Sequence, residues 1–289
     1  MRHLVCTLPL LFLLLGTFPS RATENQDTIY FGAIPRYNPI VMYRSHQPVM
    51  DYLTEATPYT FELKLSSNYL ETIAMLKDGR VQIAALGDVS FAEICEAFDA
   101  VPILKPLNRH GEPYYHSAII VTAGSDIRTL ADLKGKKFAF GDLHSTSGNL
   151  IPRDFLHRHG ITLFDLGGYN NLESHDAVAR AVLKGHFDAG AVQDSVAEQY
   201  QIRGLKILAL SEPIPAAPLV VRKGTSPALV EAISAALLAI DPLDRSWQVR
   251  MNGWNASFRQ GYVPARAEDY ASIMSLTQSI ATGCGIRCH

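Results

Sequence analysis

A chain of 289 residues, 47% hydrophobic and 19% charged, has ordinary globular composition and enough length for one large or two medium cores. Its formal net charge of −2, with no basic tract, excludes the electrostatic footprint of a nucleic-acid-binding protein. A field that mildly repels anions requires any anion site to work through local geometry.

The first 22 residues stand apart. Met1-Arg2-His3 is a short basic region, residues 4–18 are nearly all apolar, and Ser20-Arg21-Ala22 offers the small residues that a signal peptidase reads. An apolar run of about 15 residues is shorter than the roughly 20 that span a bilayer. A secretory signal peptide over residues 1–22 and a soluble mature protein are therefore expected. Cys6 precedes most of the apolar run, where a lipoprotein cysteine would not lie. Cleavage leaves Cys95, Cys284 and Cys288. Cys284 and Cys288 are spaced to close a small disulfide, and Cys95 falls in an apolar helical pattern that reads as a buried free thiol.

Residues 27–33 form a strand pattern ending at Gly32 and Pro35, and a helical pattern follows over 44–55. Residues 60–65 alternate as a strand does; Leu70, Ile73, Ala74 and Leu76 then recur at helical spacing within 69–78, before Gly79. A short apolar strand over 81–86 turns at Gly87-Asp88 into a helix over 90–98, and 101–107 and 117–122 are further strands. After the polar break Ala123-Gly124-Ser125 the pattern restarts. A helical turn over 130–133 and a strand over 137–140 precede helices over 149–159 and 174–184, a strand over 187–192, a helix over 194–201 and a strand over 205–210. The run from Pro213 to Pro218 is a second, stiff break. A strand over 219–222, an apolar helix over 227–240 and helical patterns over 247–254 and 267–279 complete the chain. Strands alternating with helices of about ten residues predict a parallel α/β architecture. The two breaks predict two lobes, with residues 124–216 inserted between 23–123 and 217–289 and a ligand cleft between the lobes.

The stretch 138–152 carries the most chemistry. A buried strand meets a tight turn at Gly141-Asp142, and Ser145-Thr146-Ser147-Gly148 then opens a helix. The first helical N–H groups lack intrahelical partners, and the helix dipole adds partial positive charge there. Three hydroxyls and those amides can surround a tetrahedral oxyanion without Arg or Lys. The other two helices of this lobe also start on polar residues, at Ser174-His175-Asp176 and at Gln193-Asp194. After parallel strands, all three N-termini would emerge on one sheet edge. In the first lobe, Tyr69 starts a helix and Tyr115 precedes a strand, positions from which a ring and hydroxyl can close over a ligand.

Ser145, His175 and Asp194 also occur in an order that a hydrolase could use. The chain lacks the Gly-x-Ser-x-Gly elbow, and a run of three hydroxyls suits multidentate binding better than one activated nucleophile. No His-Glu-x-x-His or paired Cys-x-x-Cys spacing points to a metal, and no cofactor is expected.

Gly141-Asp142-Leu143-His144-Ser145-Thr146-Ser147-Gly148-Asn149-Leu150-Ile151-Pro152 resembles the binding loop of the PhnD-type family, the phosphate/phosphite/phosphonate receptors of bacterial ABC importers. Leu130-Ala131-Asp132-Leu133-Lys134-Gly135-Lys136, His175-Asp176-Ala177, Phe187-Asp188-Ala189-Gly190-Ala191 and Asp269-Tyr270 support the resemblance. It implies a two-lobed type II periplasmic binding fold that closes on a small oxyanion, acts as a monomer in the periplasm and presents its closed form to an ABC permease. An oxyanion sensor feeding a membrane histidine kinase is the alternative use of that fold. By resemblance, Ser145, Thr146 and Ser147 bind the phosphonyl oxygens, His175 is the binding histidine, Asp194 is a ligand-facing acid, and Tyr69 and Tyr115 are cleft tyrosines. Phe91 departs from many relatives, which leaves the substituent pocket undefined. A carboxylate at Asp194 would repel an oxyanion unless the ligand brings a proton or an ammonium, so that role predicts rejection of sulfate.

Overall fold

The computed structural model describes residues 27–281 apart from 96, 253 and 255–257. The expected signal peptide and the Cys284–Cys288 pair lie outside the described residues. Cys95 is half-buried, its thiol donating to Ala92 O at 3.4 Å.

Two sheets organise the chain. The first runs β13 (Tyr262–Pro264), β4 (Ala100–Pro106), β12 (Leu219–Arg222), β3 (Ile83–Ala85), β1 (Thr28–Ala33) and β2 (Thr60–Leu65). The second runs β10 (Leu205–Leu210), β6 (Ser117–Thr122), β9 (Ala189–Gln193), β7 (Lys137–Phe140) and β8 (Gly168–Asn171). β1 is parallel to β2 and β3, and β7 is parallel to β8 and β9.

Both sheets depart from the all-parallel expectation at one inner strand, and the first also at its edge strand β13, which runs antiparallel to β4. β12 runs antiparallel to β3 and β4, and β6 runs antiparallel to β9 and β10. Each is the first full strand after the chain changes sheet. A segment arriving from between the sheets enters at the edge where the parallel strands end, so it must run against them.

The changes of sheet lie at two short strands, β5 (Tyr114–Tyr115) and β11 (Ile214–Pro215), which pair antiparallel with Ile214 opposite Tyr115. The stiff Pro213-to-Pro218 stretch is the second of these crossovers. Residues 117–122, expected in the first lobe, instead pair in the second sheet. Ala123-Gly124-Ser125 is a turn at the end of β6, where the Ala123 amide donates to Gly204 O at 2.8 Å. Sharp polar punctuation marked a strand end, while the crossover at Tyr114–Tyr115 read only as the approach to a strand.

Helices cover both faces of each sheet. α1 (Pro39–Ala56) and α7 (Pro227–Leu238) bury Val49, Met50, Leu53, Ile233 and Leu237 against one face of the first sheet. α2 (Tyr69–Lys77), α3 (Asp88–Cys95) and α9 (Ala271–Ala281) cover the other with Leu76, Phe91 and Ile94. In the second sheet, α4 (Ile151–Arg158) packs Phe155 and Leu156 on Phe138 and Phe140. α5 (His175–Leu183) and α6 (Asp194–Gln201) pack Val178, Val182, Val196 and Tyr200 on the opposite face. Each such side chain removed from water contributes about 2 kcal/mol. α8 (Arg245–Arg250) is short and buries none of its residues. Among the described residues, no helix is long and apolar enough to cross a membrane.

α1 starts earlier than expected. Asn38 accepts from the Val41 amide at 3.1 Å and Pro39 takes the first helical position. Asn-Pro looks like a chain break but is a cap followed by a residue whose missing N–H is not needed there.

Candidate functional site

The strand β7 delivers the chain to Gly141, and the next turn folds back on itself. The Gly141 amide donates to Gly148 O at 2.6 Å. A Cβ on Gly148 would lie 2.8 Å from Ser145 Oγ and 3.1 Å from both Gly141 Cα and His175 Cε1. Glycine is required here by close approach of backbone, not by dihedral angle. Ser145 caps the helix, its Oγ accepting from the Gly148 amide at 3.0 Å. A single π turn over Thr146–Leu150 leads into α4, so the helix begins at Thr146, ahead of the expected Asn149. A wide π turn is a frequent device at functional sites. Asn149 braces it by donating to Leu143 O at 3.1 Å, and Asn171 by donating to Gly141 O at 2.6 Å.

The structure gathers six of the seven expected residues. Ser145, Thr146 and Ser147 are each 2% exposed, although polar, and Tyr69 is 1% exposed. Tyr69 shares a hydrogen bond with Ser145, and burial pushes its phenol up to about 12. The Tyr115 hydroxyl hydrogen-bonds toward Thr146 and Ser147, and burial raises it further. His175 Nε2 stands 3.5 Å from Ser145 Oγ. The Gln193 amide donates to His175 Nδ1 at 3.2 Å. The neutral ring therefore carries its proton on Nε2. Burial, then the field of Arg36, lower His175 to about 3. His175 is thus a fixed N–H donor beside Ser145 and not a base for it.

Elements of both sheets meet at this turn. The Val89 amide at the start of α3 donates to Thr146 Oγ1 at 2.9 Å, and Ser90 Oγ donates to His144 O at 3.2 Å. His144 Nδ1 lies 2.7 Å from Glu93 Oε2, and the Asp176 amide donates to Arg36 O at 3.1 Å. Two helix N-termini, of α3 and of the π turn, therefore face one another. A groove of about 390 Å³ opens beside them, lined by Asn68, Leu70, Asp142, Leu143, His144 and Glu173 among others.

Asp194 lies next to this group, its neighbour Gln193 meeting His175, but its own carboxylate oxygens bond elsewhere. Its Oδ2 accepts from the His116 amide at 2.8 Å and its Oδ1 from the Ser195 amide at 2.7 Å. Burial raises its pKa against those bonds. It ties the start of α6 to the crossover. Phe91, which departs from many relatives, is fully buried edge-on to Tyr270, with ring centroids 5.2 Å apart.

Two charged residues escaped the sequence reading. Asp88 is fully buried at the start of α3, with Tyr115 OH 3.3 Å from its Oδ2. Arg36, between β1 and α1, acts electrostatically on Tyr69, Asp88, Tyr115 and His175 together. Among the described residues its guanidinium has no hydrogen bond or ion pair. Asp88 read as a turn residue after Gly87, and nothing in Pro35-Arg36-Tyr37 marked the arginine. Their significance lies in burial and convergence, which periodicity does not encode. Together, these groups make a buried, donor-rich cradle within the field of Arg36, suited to a tetrahedral anion.

The model of a family described as ABC transporter, phosphonate, periplasmic substrate-binding protein matches residues 31–270. The chain is 25% identical over 195 residues to a probable phosphite-binding protein, PhnD1, of Prochlorococcus marinus, covering 64% of this chain and 65% of that protein. It is 28% identical over 191 residues to the phosphate-import protein PhnD of Mycolicibacterium smegmatis, covering 61% and 58%. Both alignments span less than two thirds of the relative. The solved structure of Prochlorococcus marinus PhnD1 with methylphosphonate superimposes with a TM-score of 0.77 at 19% identity, covering 88% of this chain and 98% of that one. The fold is thus the two-lobed type II periplasmic binding fold expected from the sequence. With the family model matched across most of its length, the chain belongs to the phosphonate-binding family of periplasmic substrate-binding proteins of ABC transporters.

Proposed function

We propose that this protein is the solute receptor of an ABC importer and holds a small phosphorus oxyanion (phosphonate, phosphite or phosphate) in a cleft between its two lobes. The observation that carries this reading is the cradle itself. Three nearly inaccessible hydroxyls, two tyrosine hydroxyls and a neutral histidine N–H converge from both sheets on one helix start. Ser145, Thr146, Ser147 and His175 hold the oxyanion from the second lobe, and Tyr69 and Tyr115 close over it. The first lobe comprises residues 27–106 and 219–281 and the second 117–210, with the paired crossovers β5 and β11 as hinge. Asp194 acts as a strut at that hinge and not as a reader of the ligand. A signal peptide over residues 1–22 delivers the chain to the periplasm, where the closed form engages a membrane permease. No turnover is expected, because His175 offers Ser145 a proton donor where a hydrolase needs a base.

Thermal unfolding of residues 23–289 against phosphate, phosphite, methylphosphonate, 2-aminoethylphosphonate and sulfate tests this. A ligand at 100 times its dissociation constant stabilises the fold by about 2.7 kcal/mol, a rise of a few degrees. A rise with at least one phosphorus compound is expected. No rise with any of them would overturn the ligand class and leave the fold standing.

A further inference from the structure

Asp88 is the least explained polar group in the structure. It is 0% exposed, its Oδ2 is met only by the Tyr115 hydroxyl at 3.3 Å, and its Oδ1 is buried with no hydrogen-bond partner among the described residues. A bare carboxylate in such a place is costly. The charged and titratable groups that face it do not neutralise it. Lys105 is committed to Asp269 at 2.8 Å. Tyr270 donates its own proton to Ala216 O at 2.9 Å. Arg36 acts on it electrostatically without a hydrogen bond or ion pair. Tyr115, the remaining neighbour, hydrogen-bonds on its other side toward Thr146 and Ser147.

Tyr115 has one hydroxyl proton and two directions in which to send it. If Asp88 is ionised, that proton goes to Oδ2, and the cradle sees phenolic lone pairs that repel an oxyanion. If Asp88 carries a proton, it donates to the phenolic oxygen and the Tyr115 proton turns toward the hydroxyl run. We propose that Asp88 works as a neutral carboxylic acid that orients Tyr115, so that the cradle presents donors alone and takes a fully ionised phosphorus oxyanion. This rests on the function proposed above. Burial supports it, raising the Asp88 carboxyl to about 8 against the opposing pull of Tyr115, Arg36 and Lys105, so the acid keeps its proton at neutral pH. An anion arriving nearby raises it further, so binding above pH 8 must take up a proton. The proton held here belongs to the protein, whereas the role expected of Asp194 required one on the ligand.

The test is calorimetric titration of wild type and Asp88→Asn with methylphosphonate from pH 6.5 to 10. The ratio of wild-type to variant dissociation constants cancels the titration of the ligand itself. It is expected to rise above pH 8, approaching tenfold per pH unit, and proton uptake at pH 9, read from buffers of different ionisation enthalpy, should be larger in wild type. A constant ratio, or one that falls, overturns the proposal. Tyr115→Phe provides the second arm, should the asparagine variant fail to fold. With no hydroxyl to reorient, its affinity must lose less than wild type over the same range, and parallel curves overturn the proposal. Failure of wild type to bind any phosphorus compound defeats the functional reading itself; binding with a flat ratio defeats only this inference.

Discussion

Gly148 is the smallest part of the cradle and the least replaceable. The Ser145 hydroxyl, the Gly141 backbone and the His175 ring all crowd the place where a side chain on it would begin. In Gly148→Ala the added carbon would sit 2.8 Å from Ser145 Oγ and 3.1 Å from backbone at Gly141. Serine can rotate away, but the Gly141 backbone cannot yield without unseating the end of β7. The expected result is a loss of phosphonate affinity of roughly five- to hundredfold together with a lower Tm, because overpacking of this kind costs about 1–3 kcal/mol. Calorimetry and thermal unfolding check both. An alanine variant that binds as wild type would show that the turn is not the site. The hydroxyl run and its glycine were legible in the sequence because their chemistry is local: a cap, free amides and small residues. His175, Tyr69 and Tyr115 stood out at the starts of helices and strands, and the family resemblance gave them ligand-binding roles. Asp88 and Arg36 were not, since a buried acid and an unpaired guanidinium acquire meaning only when two sheets bring them to one point. Asp194 is the converse case. A good cap residue in the right register turned one oxygen to the His116 amide of the crossover and the other to the Ser195 amide of its own helix.

At the scale of elements, the site is a meeting of helix starts. Ser145, Ser174 and Asn68 each accept from an amide three residues on: Gly148 at 3.0 Å, Ala177 at 3.2 Å and Glu71 at 2.8 Å. The residue after each of the latter two caps is a site residue, His175 or Tyr69. Capping therefore does double duty, satisfying orphan amides and setting the direction in which the first side chain leaves the helix. Ser174→Ala should lower stability by about 1 kcal/mol, measured by urea unfolding. It should also weaken phosphonate binding by more than the same substitution at Ser226, which starts α7 far from the cradle and makes no side-chain cap bond. Equal effects at the two positions would mean that the α5 cap has no part in orienting His175. Helix and strand identities followed from periodicity, while strand direction did not. β6 and β12 look like any apolar strand, and their antiparallel course is set by where the chain enters the sheet.

Across the whole molecule, buried titratable groups oppose one another. His46 lies in the first core, its Nδ1 2.8 Å from Met42 O and its ring edge-on to Phe258 at 4.9 Å. Burial holds it at about 4, and holds His175 at about 3. Both lie below the unfolded value of about 6.5, so from pH 6.5 down to 4 the unfolded chain binds up to two more protons through them. Stability from these groups is present above pH 6.5 and falls as the pH drops. Asp88 has the opposite sign. Its folded value of about 8 lies above the unfolded one, so its contribution is full in acid and is lost as the pH rises to 8. Taken together, the three give a slope of about +1.4 kcal/mol per pH unit between 4 and 6.5, and about −1.4 between 6.5 and 8. The expected maximum lies near pH 6.5. The two histidines are also separable by place. His46 is sealed within the first core, whereas His175 stands beside Ser145 at the turn where elements of both sheets meet. Acid should therefore act on the first core through His46 and on that seam through His175 independently. Urea unfolding at half-unit steps from pH 4.5 to 8 should then show His46→Gln flattening the acid limb by about 1.4 kcal/mol per pH unit. Exposure of Tyr69, followed by its fluorescence, should still rise on acidification in that variant. If His46→Gln leaves the acid limb intact, the first core carries no buried proton acceptor and the acid sensitivity belongs to the seam alone.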